Sequence, residues 1–231
     1  MSEHTVRAFD RELESLGRKI AEMGGIGEKM LADAIDALIR VDNDLARATI
    51  AMDKRLDMLQ REVEELSVQV IARRQPVGVD LREIVAAMRI SGDLERVGDL
   101  AKNIAKRAVA LEGEHRLPRA MIGLRHMGEL AALQLKDVLD AYSQRDVARA
   151  DGVWMRDAEI DALEDSVFRD LLTFMMEDPR NITICAQLLF CAKNVERVGD
   201  HSTNIAETVH YILTGEMLPV ERPKGDQVTG K

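Results

Sequence analysis

The sequence predicts an all-α protein built as two tandem, pseudo-symmetric three-helix bundles of long antiparallel helices. Apolar residues make up 46% of the 231-residue chain and aromatics only 3%, a composition rich in Ala, Leu, Met and charge that suits long amphipathic helices packed on one another. Apolar positions recur at helical spacing through six successive segments. One acidic stretch also occurs twice. Glu95-Arg96-Val97-Gly98-Asp99, followed by Asn103-Ile104-Ala105, returns 101 residues later as Glu196-Arg197-Val198-Gly199-Asp200, followed by Asn204-Ile205-Ala206. Such a repeat divides the chain into two similar units, 1–113 and 117–215, with 216–231 reading as a flexible tail.

The first helix carries Phe9, Leu13, Leu16, Ile20, Met23, Met30 and Leu38 and runs to about Val41, with a bend expected at Gly24 and Gly25. Asp42, Asn43 and Asp44 supply capping residues for a second helix from Leu45 to Val70, which must stop near Gln75 because Pro76 follows. A third helix starts around Asp80 as its N-cap, continues towards Leu111 and ends at Gly113. Pro118 suits the first turn of a fourth, which reaches about Tyr142. Ser143 is expected to cap a fifth helix containing Val147, Val153, Ile160, Leu163, Val167, Leu171 and Phe174, closing at Asp178-Pro179. The sixth runs from Asn181 to about Leu213, with Gly215 as terminator. Short connections make consecutive helices antiparallel neighbours. A second match between the halves, Asp44-Leu45-Ala46-Arg47-Ala48 with Asp146-Val147-Ala148-Arg149-Ala150, supports the duplication.

The formal charge of -9 argues against nucleic acid as the main ligand, since phosphate backbones are bound by clustered Lys and Arg. Cations or a basic protein partner fit better. Met1 to Arg11 has no apolar core of a secretory signal, and there is no uninterrupted apolar run of about 18 residues, so a soluble cytoplasmic protein is expected. Cys185 and Cys191 lie six apart on one helix, roughly 120° apart around its axis, and read as reduced core residues.

Residues four apart share a helix face. Glu95 with Asp99 and Glu196 with Asp200 are therefore pairs, and the preceding helices carry similar ones, Asp53 with Asp57 and Asp157 with Asp161. The first two pairs centre on residues 55 and 97, and halfway between lies residue 76, the turn proline. A hairpin folded there brings both pairs to one level, about 30 Å from the turn. In the second half the centres are 159 and 198, with the midpoint at Asp178-Pro179. Four carboxylates can thus converge in each half, repulsive when empty and matched to hard cations with oxygen ligands. Asn103 and Asn204 extend the polar line as auxiliary ligands or supports, and His201, where the first half has Leu100, could add a nitrogen ligand. Gly98 and Gly199 fit either close approach of a ligand or plain helix packing. A ferritin-like di-iron centre needs two Glu-x-x-His pairs in one four-helix bundle. Glu112 with His115 and Glu207 with His210 have the spacing, but the first crosses Gly113 and the two belong to different halves. No nucleophile-base signature, phosphate-binding Gly-rich loop, CxxC or HExxH is present.

These motifs, with Arg74-Gln75-Pro76-Val77 leading to Asp80-Leu81-Arg82, and with His201, Glu207 and the closing Leu213-Thr214-Gly215-Glu216, resemble the PhoU family over nearly the whole chain. The resemblance implies two three-helix bundles and a bacterial regulator rather than an enzyme. It implies negative regulation of phosphate uptake and of the phosphate-starvation regulon, through a phosphate ABC transporter ATPase and a phosphate-sensing histidine kinase, with membrane association only through partners. It further implies metal clusters (iron, zinc, manganese or magnesium) at Asp53, Asp57, Glu95 and Asp99 and at Asp157, Asp161, Glu196 and Asp200. The second half lacks the Gln-Pro turn and has Asp178-Pro179 in its place. Bundles of this kind can form homodimers. A passive helical adaptor, whose acidic faces are only solvated surface, is the alternative reading.

Overall fold

A computed structural model describes residues 2–112 and 117–219, with side chains from Ala8 onward. The expected stop at Gly113 and the part of the expected tail from Val220 onward lie outside the described residues. The elements are α1 (Ser2–Arg40), α2 (Asn43–Arg74), α3 (Val79–Ala110), α4 (Pro118–Gln144), α5 (Val147–Met155), α6 (Ala158–Glu177), a single 3-10 turn (Pro179–Asn181) and α7 (Ile182–Thr214). Among the described residues there is no strand. The all-α reading holds, with the expected fifth helix divided in two.

Corresponding joints in the two halves are built alike. After α1, Val41 takes a left-handed φ of 57°, and after α4 Arg145 takes φ 56°. Such a conformation is uncommon for a residue with a side chain, and rarer still for a β-branched one. Each is held by the aspartate next to it: the Asp42 N–H donates to the Ala37 carbonyl at 3.0 Å and the Asp146 N–H to the Ala141 carbonyl at 2.9 Å. Both aspartates then cap the next helix, Asp42 accepting from the Leu45 N–H at 3.0 Å and Asp146 from the Arg149 N–H at 3.0 Å. Ser143 is therefore not the cap expected of it; it lies inside α4 and its hydroxyl donates to the Asp140 carbonyl. Asp80 is likewise in the first turn of α3 rather than its cap, a place where its charge suits the helix dipole. Gly78, at φ 61°, precedes that helix.

The division at Arg156 and Asp157 has a local cause. The Glu159 N–H donates to the Arg156 carbonyl at 3.0 Å and the Ile160 N–H to the Asp157 carbonyl at 3.3 Å, so the chain tightens to three-residue spacing there. The helix α1 continues without interruption through Gly24 and Gly25. A Cβ at Gly24 would stand 2.9 Å from the Leu139 methyls, so the glycine lets α4 approach α1.

The helices α1, α2 and α3 pack on one another, as do α4, α5, α6 and α7. The halves are joined by α3 against α7 and α1 against α4, and one apolar core runs through both. Leu31, Leu56, Val97, Leu124, Val198 and Ile205 are all fully buried within it. Cys185 and Cys191 are buried and unbridged, and burial pushes the Cys191 thiol up to about 12.

Candidate metal centres in the two halves

Each set of carboxylates is levelled by a glycine. A Cβ on Gly98 would lie 2.3 Å from Leu56 Cδ2, and one on Gly199 would lie 2.7 Å from Ile160 Cδ1. Each glycine sits between the acids of its own pair, Glu95 and Asp99 or Glu196 and Asp200, and each receiving side chain sits between Asp53 and Asp57 or between Asp157 and Asp161. Inserting Leu56 over Gly98 therefore sets α2 against α3 with the two acid pairs abreast. The packing reading of these glycines is the one the contacts support.

In the first half Asp53 is buried, and Asp57, Glu95 and Asp99 are partly buried. Lys102 spans the two helices: its Nζ donates to Asp53 Oδ2 at 2.5 Å and to Asp99 Oδ1 at 2.5 Å. Burial opposes the ammonium charge, but the hydrogen bonds to Asp53 and Asp99 outweigh it and hold the Lys102 pKa above the usual lysine range. Arg96 lies 3.5 Å from Glu95 and 3.5 Å from Asp99. Glu95 itself has its pKa raised, first by burial and then by the charge of Asp99, with smaller contributions from Asp57 and Asp53.

The second half is arranged differently. Asp157 is buried and accepts a hydrogen bond of 2.7 Å from the Thr203 hydroxyl. Glu196 Oε1 takes the Lys193 ammonium at 2.8 Å, whereas its Oε2 is buried with no hydrogen-bond partner. Asp161 and Asp200 lie on the exposed side. Burial and the charge of Glu196 raise the pKa of both, and each is raised further by a neighbouring aspartate, Asp165 for Asp161 and Asp161 for Asp200; Lys193 opposes the shift at both, and His201 also at Asp200.

Two of the auxiliary residues bond to α3. His201 Nδ1 stands 2.9 Å from Asp93 Oδ1, and Asn204 Nδ2 donates to the same oxygen at 3.3 Å, so both reach across to α3. Asn103 is half-buried on α3 beside Lys102. Of the di-iron candidates, His210 stands 2.7 Å from Asp151 and Glu207 accepts from the Trp154 indole at 3.2 Å, while His115 lies outside the described residues. Sequence reading passed over Asp93, Lys102, Lys193 and Thr203. A signal was available in the repeat itself: aligning the halves at their 101-residue offset sets Thr203 against Lys102 and Lys193 against Gly92.

The PhoU domain model matches residues 20–108 and again 124–209. The chain belongs to the PhoU family. It is 53% identical to a phosphate-specific transport system accessory protein PhoU homolog of Rhizobium meliloti, covering 98% of this chain and 95% of that one. A protein of the same description from Caulobacter vibrioides is 52% identical, with 98% of each chain covered. Among solved structures, PhoU from Pseudomonas aeruginosa superposes with a TM-score of 0.87 at 37% identity, over 90% of this chain and all of that one. The phosphate transport system regulatory protein PhoU from Streptococcus pneumoniae gives 0.83 at 27% identity, over 92% of this chain and all of the other. In this PhoU chain no described helix is long and apolar enough to cross a membrane.

Among the described residues no three acidic, histidine or cysteine side chains are already gathered around one point as a finished metal site. The donor chemistry nevertheless fits a hard cation. The donors are carboxylate oxygens, Glu95, Asp161 and Asp200 hold their negative charge at a cost, and Glu196 Oε2 is buried without a partner.

Proposed function

We propose that this PhoU-family chain is a negative regulator of phosphate uptake and of the phosphate-starvation response, acting from the cytoplasm by docking rather than by turning over a substrate. Its docking partners on this reading are the ATPase of a phosphate ABC transporter and a phosphate-sensing histidine kinase. The observation that carries it is the match along 98% of the chain to relatives described as phosphate-specific transport system accessory proteins. A homodimer is part of the same reading. Deleting the gene and following a phosphate-starvation reporter in phosphate-rich medium tests it. Constitutive induction is expected, and an unchanged reporter would overturn the reading.

The carboxylate sets enter as cation sites. Asp53, Asp57, Glu95 and Asp99 would hold one ion or cluster, and Asp157, Asp161, Glu196 and Asp200 the other. When bound, iron, zinc, manganese or magnesium supplies the positive charge that lets four carboxylates converge. The chain's own part is to set the acids abreast through Leu56 over Gly98 and Ile160 over Gly199, and to present the resulting face to a partner. Elemental analysis of protein purified without chelator or nickel resin is expected to find stoichiometric metal.

A second reading, the helical adaptor without metal, is favoured by Lys102, because in the first half the chain already neutralises two of its own carboxylates. Absence of stoichiometric metal together with intact regulation would select it.

A further inference from the structure

We propose that the cleft between α1, α4 and α7 seats one helix of a partner protein, apolar on the face it inserts and carrying Lys and Arg along its edges. This rests on the reading of the chain as a docking regulator and adds where the partner is gripped.

The cleft holds about 730 Å³, and its lining along α1 runs from Asp10 to Glu28. At 1.5 Å per residue that is about 27 Å, the length of a helix of about 18 residues. The floor is apolar, with Leu16 and Ile20 of α1, Leu139 of α4 and Val209, Ile212 and Leu213 of α7. A trough of this form suits an amphipathic helix, whose apolar residues at i, i+3, i+4 and i+7 fill it. The α1 wall is bare where it faces the cleft, with Gly17, Ala21, Gly24 and Gly25 in succession. Gly24 is accounted for within the chain, because Leu139 packs on it. A Cβ on Gly17 or Gly25 would meet nothing within 4 Å, so no neighbour inside the protein requires a glycine there. Each costs a helix interior up to about 1 kcal/mol relative to alanine. What two such bare turns admit is a backbone approaching from outside.

Charge decides the kind of helix. Among the described residues the lining includes the carboxylates of Asp10, Glu14, Glu28, Glu83 and Asp140 against the guanidinium groups of Arg18 and Arg145. Both arginines are turned to acids of the same cleft, Arg145 standing 2.6 Å from Glu83 and Arg18 3.7 Å from Glu14. Arg149 reaches Asp140 from α5 at 2.8 Å. Glu28 has its pKa raised by burial and then by the charge of Asp140, with Lys136 opposing, and a further cation laid beside it would offset both causes. The C-terminal turns of α4 and α7 open on the cleft, against one N-terminus, that of α3, which carries Glu83 in its second turn. A basic helix is therefore attracted. A second copy of this chain, at a formal charge of -9, is repelled on balance. The chain's own residues 220–231 offer Val220 and Val228 as their only large apolar side chains, too few to fill such a floor.

Full-length protein is titrated against a fluorescent Leu/Lys peptide of about 18 residues, patterned as an amphipathic helix, with anisotropy as the readout. Micromolar binding is expected, and Gly17→Leu and Gly25→Leu, which fill the trough, should each weaken it by about tenfold or more. Gly152→Leu, on α5 and equally free of close neighbours, should leave it unchanged. Circular dichroism verifies the fold of each variant. A scrambled peptide of the same composition that binds as tightly, or equal losses in Gly25→Leu and Gly152→Leu, would overturn the proposal. Removal of residues 220–231 should not alter the affinity; a gain of about tenfold would give the cleft to the tail and overturn it. Conversion of a dimer to a monomer by Gly25→Leu, seen by light scattering, would give it to a second copy and overturn it too. In cells, Gly25→Leu protein at wild-type abundance is expected to leave the phosphate-starvation reporter induced in rich phosphate. Induction by gene deletion but not by Gly25→Leu would overturn the cleft while leaving the regulator reading standing. Induction by neither would overturn that reading, and this inference with it.

Discussion

Gln134 on α4 donates from Nε2 to the backbone carbonyl of Arg156 at 3.1 Å, at the point where α5 gives way to α6. The next residue is Asp157. A fully buried amide on a neighbouring helix thus stabilises the interruption that places one of the second set's carboxylates. Replacing it by methionine removes the donor but also removes Oε1, which is buried without a partner. A net loss of about 1 kcal/mol is expected, read as a small fall in Tm. Amide exchange at Glu159 and Ile160 should speed up more than elsewhere, and uniform exchange across α6 would count against this role.

Glycine substitutions should separate by what stands in front of them. Gly98→Ala drives a methyl into Leu56 and Gly199→Ala into Ile160, at separations that no real pair of carbons keeps. Losses of about 1–3 kcal/mol are expected, with Gly98 the more sensitive because its clash is closer. Gly25→Ala, on an exposed turn of α1 with nothing nearby, should instead gain about 0.5–1 kcal/mol from reduced backbone freedom. Chemical denaturation of the three variants measures the order directly.

Why some of this was readable in the chain and some was not is a matter of range. Asp42 announces a helix start because a cap bonds only three residues ahead, whereas Asp146, which caps in the same way, was passed over for Ser143 three residues earlier. The glycine-bearing motifs stood out because their repetition is a pattern in the chain itself. The break at Arg156 left no such mark: Val153, Ile160 and Val167 continue the helical period, no Pro or Gly intervenes, and the stabilising amide comes from another helix. The contact that His201 makes was hidden for the same reason. Its partner Asp93 is 108 residues away, and local spacing carries no information about it.

Two groups of carboxyls should give opposite pH signatures. Glu12 on α1 receives a two-point contact from Arg74 at the end of α2, 2.9 and 3.0 Å long, and that hydrogen bonding holds its pKa below the usual carboxylate range. Its contribution to stability is present above the unfolded pKa and is lost as pH falls through the lower folded value. Glu12→Gln should therefore cost up to about 1 kcal/mol near neutrality, with the difference from wild type shrinking below about pH 4. Thermal melts of the pair at a series of pH values check the slope.

Glu95, Asp161 and Asp200 have raised pKa values, burial being the main cause. Their contribution is present below the unfolded pKa and is lost as pH rises through the folded one, so at neutral pH these carboxylates oppose folding. In chelator-treated protein Asp200→Asn should raise Tm, though only slightly, because this carboxylate is exposed and solvent screens its repulsion. Saturating Mn²⁺ should stabilise the wild type by about 2.7 kcal/mol at a hundred times its Kd, and the gain should shrink in that variant. A gain of equal size in both would show that the ion binds elsewhere.

Asp93 closes a bond across the crossing of α3 and α7, and it lies on the same rod as the first acid set, two residues before Glu95. Its partners His201 and Asn204 lie just beyond Asp200 on the other rod. The two sets are thus not carried on separate lobes swinging from a linker. They sit on two packed beams fastened at Asp93 and again where Arg107 of α3 donates to Gln187 of α7 and lies over the Phe190 ring, so a torque applied to either beam is felt at the other through these fastenings. A partner gripping one half of the molecule accordingly handles both.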